Sequence, residues 1–385
     1  MPTAKHTLLA AAWLAGLPVV ASGSPVWLPP LLSGHTDLRF CYAAGAWQIG
    51  VDLDAEGLVP SDSIALAAPD AVYPAGSRVV RPAAAVWNFT GVAAGQPLLI
   101  FPPNSWGGVW PGYSSCSGNF ASWMQTDPRL TGGGAPVSGP WVGFHLKAVR
   151  YRGLGSGQFA SWNTNFAGVP TIWMSTAEGG ITAQDTFWLG SGGHAHTSTG
   201  FSSTGLYAVT LDASGYLGPG QTNPVRSPER EFYYAAGTYA VWQATHFPAC
   251  EWFANDLIGE TADPDSDGLD NLTEYACGLH PRKPDSGKIT AGTAPGLPSV
   301  TTTAGGAEEF LFRRRRAGTA PQITCEVLTS PALDAASWTV VPLQSATITT
   351  VDATWESVRV PLGSLSNSTR RFYTLRTTLL PAPAY

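Results

Sequence analysis

A chain of 385 residues is long enough for two or three separate cores, and it carries a net charge of −6 with only 12% charged residues. This charge excludes the broad electrostatic attraction by which basic proteins bind nucleic acid or anionic membranes. The 43 glycines, 32 prolines and 15 tryptophans favour short strands joined by frequent turns. We therefore expect an all-β fold with no nucleic-acid partner.

The first 24 residues have the pattern of a secretory signal peptide. Lys5 precedes an apolar run over residues 8–20, and Ala21 and Ser22 supply small residues for cleavage. At roughly thirteen residues, this run is too short to cross a bilayer comfortably. A buried N-terminal helix is the competing interpretation. No second apolar run of spanning length follows, so we expect a secreted or cell-surface protein with no membrane span in the mature chain.

Alternating apolar and polar residues divide the remaining sequence into units. Residues 25–225 contain many short alternating runs, beginning with a hairpin pattern over 38–53, and predict a β-sandwich-like domain. Residues 226–280 contain short helical patterns and predict a junction. A linker rich in proline and glycine follows over 281–298. Residues 299–385 show five alternating runs and predict a small antiparallel β-domain.

The cysteines have no CxxC spacing and are Cys41, Cys116, Cys250, Cys277 and Cys325. An exported chain can form one or two disulfides from these residues. Cys250 and Cys277 are the nearest pair in sequence and lie on either side of an acidic loop, but the pairing cannot be deduced from sequence alone. Buried free thiols are the competing interpretation.

The most specific motif is this acidic loop, residues 263–274. Six residues match the twelve-residue calcium template, and a seventh, Leu269, would contribute only its backbone carbonyl at position 7. The six matching residues are Asp263, Asp265, Asp267, Gly268, Asn271 and Glu274. Calcium takes about six to eight hard oxygen ligands, and a tight turn at glycine lets one short loop supply most of them. A solvated acidic turn is the alternative, since position 8 is Asp270 rather than an aliphatic residue and no second loop is present to pair with it.

A second candidate site combines two short segments, Gly34-His35-Thr36-Asp37 and Gly193-His194-Ala195-His196. Residues two apart on an extended strand point to the same face, so each segment can aim two side chains at one point. Neutral imidazoles and a carboxylate suit Zn²⁺, Mn²⁺ or Cu²⁺. The four side chains can share one ion if the two strands are neighbours. Histidines that hydrogen-bond glycine-rich loops are the competing interpretation.

These two segments, the hairpin up to Trp47, the loop over 106–112 and Gly205-Leu206-Tyr207 resemble one protein family. It is the surface-anchored repeat domain of bacterial wall proteins, of the choice-of-anchor M type, and the resemblance covers about residues 30–215. Its members are exported and often encoded beside metal-uptake transporters, which implies a metal-related or surface-binding role. The aromatic residue after the histidine pair, Phe201, falls later than in the family pattern.

The acidic loop resembles the thrombospondin type-3 or dockerin-like loops of secreted proteins, which implies a structural calcium ion that stiffens a junction. Together with the segments over 271–276 and 370–373, the C-terminal part resembles the tails of secreted multidomain proteins from Verrucomicrobia-like bacteria. This second resemblance covers about residues 260–380 and is mainly one of architecture.

The loop rich in tryptophan and glycine offers an alternative function. Trp106, Trp110 and Tyr113 can form a sugar-stacking platform because flat apolar rings suit sugar faces, although such residues also close the ends of sandwich cores. No HExxH, nucleophile-elbow, Walker or dinucleotide motif occurs in the sequence. We therefore expect a non-enzymatic extracellular binding protein whose partner is a cell-envelope component, a metal ion or a glycan. A carbohydrate-binding or carbohydrate-active protein and a structural envelope protein are the alternatives.

Overall fold

The computed structural model describes residues 27–54, 56–116, 120–285, 287–289, 295–316, 323–362 and 371–380. The expected signal peptide, residues 1–24, lies outside them. Strands dominate the described residues and form several sheets, so the expectation of an all-β fold is confirmed. No helix among these residues is long and apolar enough to cross a membrane.

The larger part of the chain consists mostly of short strands. They are β1 Gly34–Ala43, β2 Ala46–Asp52, β3 Leu58–Val59, β4 Ala65–Ala68, β5 Arg78–Val80, β6 Pro97–Phe101, β7 Val109–Ser114, β8 Trp123–Gln125, β9 Val137–Gly139, β10 Trp141–Gly153, β11 Phe159–Thr164, β12 Pro170–Ser175, β13 Thr186–Gly190, β14 His194–His196, β15 Ser198–Phe201, β16 Gly205–Gly215, β17 Val225–Arg226 and β18 Arg230–Ala236.

Three sheets make up most of this part. Their strand orders are β14-β7-β1-β2-β3, β13-β10-β16-β18-β4 with β17 added beside β16, and β12-β11-β15-β6-β5. The second sheet continues past residue 225, because β18 pairs with β16 on one side and β4 on the other. Strands β8 and β9 form a separate small pair.

The three sheets share one core rich in aromatic side chains. Phe40 of β1 meets Phe144 of β10 edge to face at 5.5 Å, while Phe201 and Tyr234 fill the centre from β15 and β18. Each such burial stabilises the fold by roughly 1.5–3 kcal/mol. Because side chains alternate along a strand, burying Leu38 and Phe40 turns the odd-numbered residues of β1 to the opposite face of the sheet.

Short helices lie between strands along the chain, and those over residues 238–277 lead from this part to the C-terminal domain. They are α1 Pro128–Thr131, α2 Thr238–His246, α3 Asn255–Ile258 and α4 Asn271–Cys277, with 3₁₀ turns at Ala85–Thr90, Ala249–Glu251 and Leu343–Ser345. Helix α4 begins after Asp270, whose side chain accepts from the Thr273 amide, and ends at Gly278 with φ 75°. All seven residues of α4 are buried.

The C-terminal part contains two small antiparallel sheets, ordered β19-β20-β24-β23 and β22-β21-β25. Their strands are β19 Ser299–Thr302, β20 Glu308–Arg315, β21 Ile323–Ser330, β22 Thr339–Val341, β23 Thr347–Thr350, β24 Trp355–Pro361 and β25 Phe372–Leu379. They enclose a separate core that includes Phe310, Phe312, Val327 and Val358.

One disulfide joins Cys41 of β1 to Cys116, just after β7, with α-carbons 4.8 Å apart. These strands are parallel neighbours, so the bond cross-links two elements 75 residues apart in sequence. Cys250 is exposed and Cys277 is buried, and both are free thiols. The pair nearest in sequence therefore does not bond.

Replacing Cys41 and Cys116 together by serine should lower the free energy of unfolding by about 2–4 kcal/mol, because the unfolded chain loses a cross-link over a long loop. Urea unfolding measures this change, with Cys250→Ser, at an exposed free thiol, as the control. Peptide mapping under non-reducing conditions that found Cys41 alkylated as a free thiol would contradict the assignment.

Candidate metal centres

The His/Asp segments meet on one face of the first sheet, but their strands are not direct neighbours. Strand β7 lies between β1 and β14 and places Gly112 opposite both Asp37 and His196. With strands about 4.8 Å apart, β1 and β14 are separated by roughly twice that distance. The two strands are therefore not adjacent in the way that the sequence-based prediction required. Instead they lie on either side of a third strand, which carries a glycine at the facing position.

Gly112 leaves the space in which these side chains converge. A β-carbon built at this position would lie 2.4 Å from Asp37 Oδ1 and 2.8 Å from His196 Cε1. Contacts below 3.0 Å force neighbouring atoms to shift. Because Gly112 has no side chain, the side chains of Asp37 and His196 can extend over β7 from the two outer strands.

The geometry of the donor atoms suits a single ion. His35 Nε2 lies 3.0 Å from His196 Nε2 and 3.6 Å from Asp37 Oδ1. With metal–nitrogen bonds of about 2.0–2.1 Å, two ligands of a tetrahedral ion lie about 3.3 Å apart. His194 is exposed, and one nitrogen from each of the three histidines falls within 4.8 Å of the others. All four residues expected from the sequence are therefore brought together.

Asp54 orients His35 in a way that the sequence did not indicate. His35 Nδ1 lies 2.8 Å from Asp54 Oδ1. A carboxylate that accepts a hydrogen bond from Nδ1 selects the tautomer of the neutral ring whose lone pair is on Nε2, the nitrogen nearest His196 and Asp37. A carboxylate behind a metal-binding histidine is a common way to fix the ring and its tautomer.

Burial sets the electrostatics of the site. Asp37 is only 7% exposed, and its Oδ1 accepts no hydrogen bond. Loss of water raises the pKa of the Asp37 carboxyl despite the lowering effect of His35, His194 and His196. Burial also lowers the pKa of His196, which favours the neutral ring that a metal requires. A buried carboxylate oxygen without a partner is costly, and a cation would compensate it.

Of the three aromatic residues in the tryptophan-rich segment, only Trp110 contacts the His/Asp cluster. The ring of Trp110 packs 4.7 Å from His35 and 5.0 Å from His196 and forms one wall. Tyr113 faces the core and is 3% exposed. Trp106 donates its indole N–H to the Val109 carbonyl. These aromatic rings therefore do not share one open surface on which a sugar could stack.

Replacing Gly112 by alanine should weaken transition-metal binding by about tenfold or more, because the new methyl group displaces Asp37 and His196. Isothermal titration calorimetry with Zn²⁺ measures the change. Gly190→Ala is the matched control, since a β-carbon at this strand position meets nothing within 4 Å. Equal affinity in the two variants would show that the space above Gly112 is not the binding site.

The acidic loop folds into a compact cluster ahead of α4. Asp263, Asp265 and Asp267 each place a carboxylate oxygen within 4.8 Å of the others. Gly268 has φ 94°, a left-handed conformation that the tight turn requires and that glycine adopts without strain. The side chain of Leu269 is half-buried, and its amide donates to Asp267 Oδ1.

Glu274 is the most unusual group of this loop. It is 0% exposed, and neither carboxylate oxygen has a hydrogen-bond partner. Burial first, and then the charges of Asp265 and Asp267, raise the pKa of Glu274 to about 9. A glutamate is the expected bidentate ligand at template position 12. A divalent cation would reverse the unfavourable energy of this burial.

Two residues of the loop have structural roles. Asn271 donates from its amide nitrogen to the carbonyls of Leu257 and Gly259, each at 2.8 Å, while its Oδ1 has no partner. Asp270 caps α4, which explains an acidic residue at template position 8.

Asp285, outside the template, lies in a second group with Asp267 and Glu274. Only its chain proximity to the loop could have indicated it.

In calcium-free buffer near pH 8, Glu274→Gln should raise the melting temperature. The pKa of Glu274 is raised to about 9, so between the ordinary glutamate value and about pH 9 folding requires a proton that the unfolded chain has released, and stability falls as pH rises. The neutral amide of the variant needs no proton and avoids this loss. Adding calcium should stabilise the wild type strongly and the variant much less. Differential scanning calorimetry measures both effects, and equal calcium-induced shifts would contradict a ligand role for Glu274.

We found no family model and no curated protein that matches this chain. The resemblance to the surface-anchored repeat domain therefore stays a prediction.

Proposed function

We propose that this chain is an exported, non-enzymatic binding protein whose larger β-domain holds one transition-metal ion and whose junction is stabilised by calcium. His35, Asp37, His194 and His196 are the proposed ligands, and Zn²⁺, Cu²⁺ and Mn²⁺ are the candidate ions. Three imidazoles and a carboxylate without a thiolate suit these metals.

The observation that carries the metal proposal is the meeting of His35 Nε2, His196 Nε2 and Asp37 Oδ1 above a glycine. These atoms come from strands 161 residues apart and converge at 3.0 and 3.6 Å. Histidines that merely stabilise loops have no need of a buried, unpartnered carboxylate oxygen beside them. Asp54 adds the supporting carboxylate that metal-binding histidines usually have.

The same geometry favours binding over catalysis. Four protein donors fill the coordination of a tetrahedral ion, whereas catalytic zinc sites keep one position open for water or substrate. His194 is the exposed member of the set, so it is the ligand that can leave first and let the ion exchange with solvent. Such a site suits capture and transfer of a metal at the cell surface.

Export is supported by two independent features. The N-terminal pattern is that of a signal peptide, and the disulfide between Cys41 and Cys116 is typical of oxidising, extracellular compartments. The calcium part of the proposal is supported by the buried, unpartnered Glu274 within an acidic loop that matches the calcium template. Calcium at millimolar concentration outside cells suits a structural role of this kind.

Purified protein should bind one Zn²⁺, Cu²⁺ or Mn²⁺ ion per chain, as measured by elemental analysis after dialysis and by calorimetry. His196→Ala should weaken binding by more than about a hundredfold, since second-shell losses alone cost about 10–100-fold. His246→Gln is the matched control, because His246 packs on Trp242 and His280 outside the cluster. Wild-type protein that binds none of the three metals would refute the proposal and favour a structural envelope protein.

A further inference from the structure

Asp285 lies in the segment that the sequence predicts to be a free linker, yet it joins the acidic cluster. One oxygen from each of Asp267, Glu274 and Asp285 falls within 4.8 Å of the others. The Asp285 amide donates to Asp267 Oδ2 at 2.9 Å, so the backbone of this segment is also fixed to the loop. We propose that Asp285 is a ligand of the same calcium ion, supplied from outside the twelve-residue loop. This inference rests on the proposed calcium site.

Glu274 gives this group the character of a ligand site rather than a surface cluster. Its carboxylate is fully buried, both oxygens lack a partner, and one of them lies within 4.8 Å of an oxygen of Asp267 and of Asp285. A single ion bound by Glu274 would be within reach of Asp285 as well, because calcium bonds of about 2.3–2.6 Å place its ligand oxygens up to about 5 Å apart. Asp285 is therefore placed to add a ligand oxygen that the twelve-residue loop does not supply.

Helix α4, which contains Glu274, packs against the cores of both domains. Leu272 and Tyr275 pack into the core that includes Tyr239 and Trp242, on the side of the larger domain. Ala276, one residue further along, packs into the core of the C-terminal domain. The helix is thus shared between two cores, and it is too short to be stable without tertiary contacts.

Polar contacts link the same helix to the C-terminal strands. Thr273 Oγ1 lies 2.8 Å from Thr377 Oγ1 of β25. Arg315 of β20 donates to the Tyr275 carbonyl, and its guanidinium lies 4.2 Å from the Tyr275 ring centre. A single calcium ion with ligands before, within and after α4 would therefore fix the helix to the start of the linker. Because α4 contacts both cores, the ion would also stabilise the contact between the domains.

Calcium titration calorimetry compares the full chain with Asp285→Asn, Glu274→Gln and Asp256→Asn. Asp256 is an exposed acid of the same junction, so Asp256→Asn controls for loss of one negative charge. We expect Asp285→Asn to weaken calcium affinity by about tenfold or more, because the site loses a charged ligand. Asp256→Asn should bind as the wild type does.

Trypsin cleavage supplies a second measurement on the same variants. Arg282 and Lys288 are exposed and flank Asp285. Calcium should slow cleavage at these residues at least about tenfold in the wild type. The reason is that trypsin cleaves the segment only when it is released from the calcium loop, and bound calcium lowers the population of that released state. It should slow cleavage little in Asp285→Asn at a calcium concentration that saturates the remaining loop.

The outcomes separate the two claims. A wild type that binds no calcium refutes the calcium site itself. A wild type that binds calcium, with Glu274→Gln impaired but Asp285→Asn equal to Asp256→Asn in affinity and cleavage, leaves the loop intact and overturns the role of Asp285.

Discussion

The missing side chain at Gly112 is the constraint on which the proposed metal centre depends. Strand β7 separates β1 from β14, and a β-carbon at Gly112 of β7 would lie among the ligand atoms. The rest of the arrangement follows from ordinary strand geometry. Burying Leu38 and Phe40 in the aromatic core turns His35 and Asp37 to the other face, where Gly112 gives them room.

The two proposed ions have different relations to the fold. The transition-metal ligands lie on a sheet face that the aromatic core and the disulfide already hold in place, so this site is largely preformed. The acidic loop, by contrast, gathers carboxylates around a buried Glu274 and precedes a helix shared by two cores. Without a cation, the negative charges of these carboxylates repel one another. Calcium would therefore contribute to domain contact, whereas the transition metal would be the bound cargo.

Much of this could be predicted from the sequence because it depends on local periodicity. The spacing of His35 with Asp37, and of His194 with His196, determines which side chains share a face of a strand. The calcium template depends only on twelve consecutive residues. What could not be predicted depends on the pairing of distant strands. No local pattern places β7 between β1 and β14, brings Asp54 behind His35, buries Tyr113, or pairs Cys41 with Cys116. Asp285 was missed because it lies beyond the template, in a segment without apolar periodicity.

The central claim is that one transition-metal ion is bound above Gly112. Anomalous diffraction from a crystal soaked in Zn²⁺, measured on both sides of the zinc edge, tests it most directly. The predicted result is one strong peak about 2 Å from His35 Nε2, His196 Nε2 and Asp37 Oδ1. A zinc-saturated crystal with no peak there, or with zinc only on exposed histidines elsewhere, would contradict it.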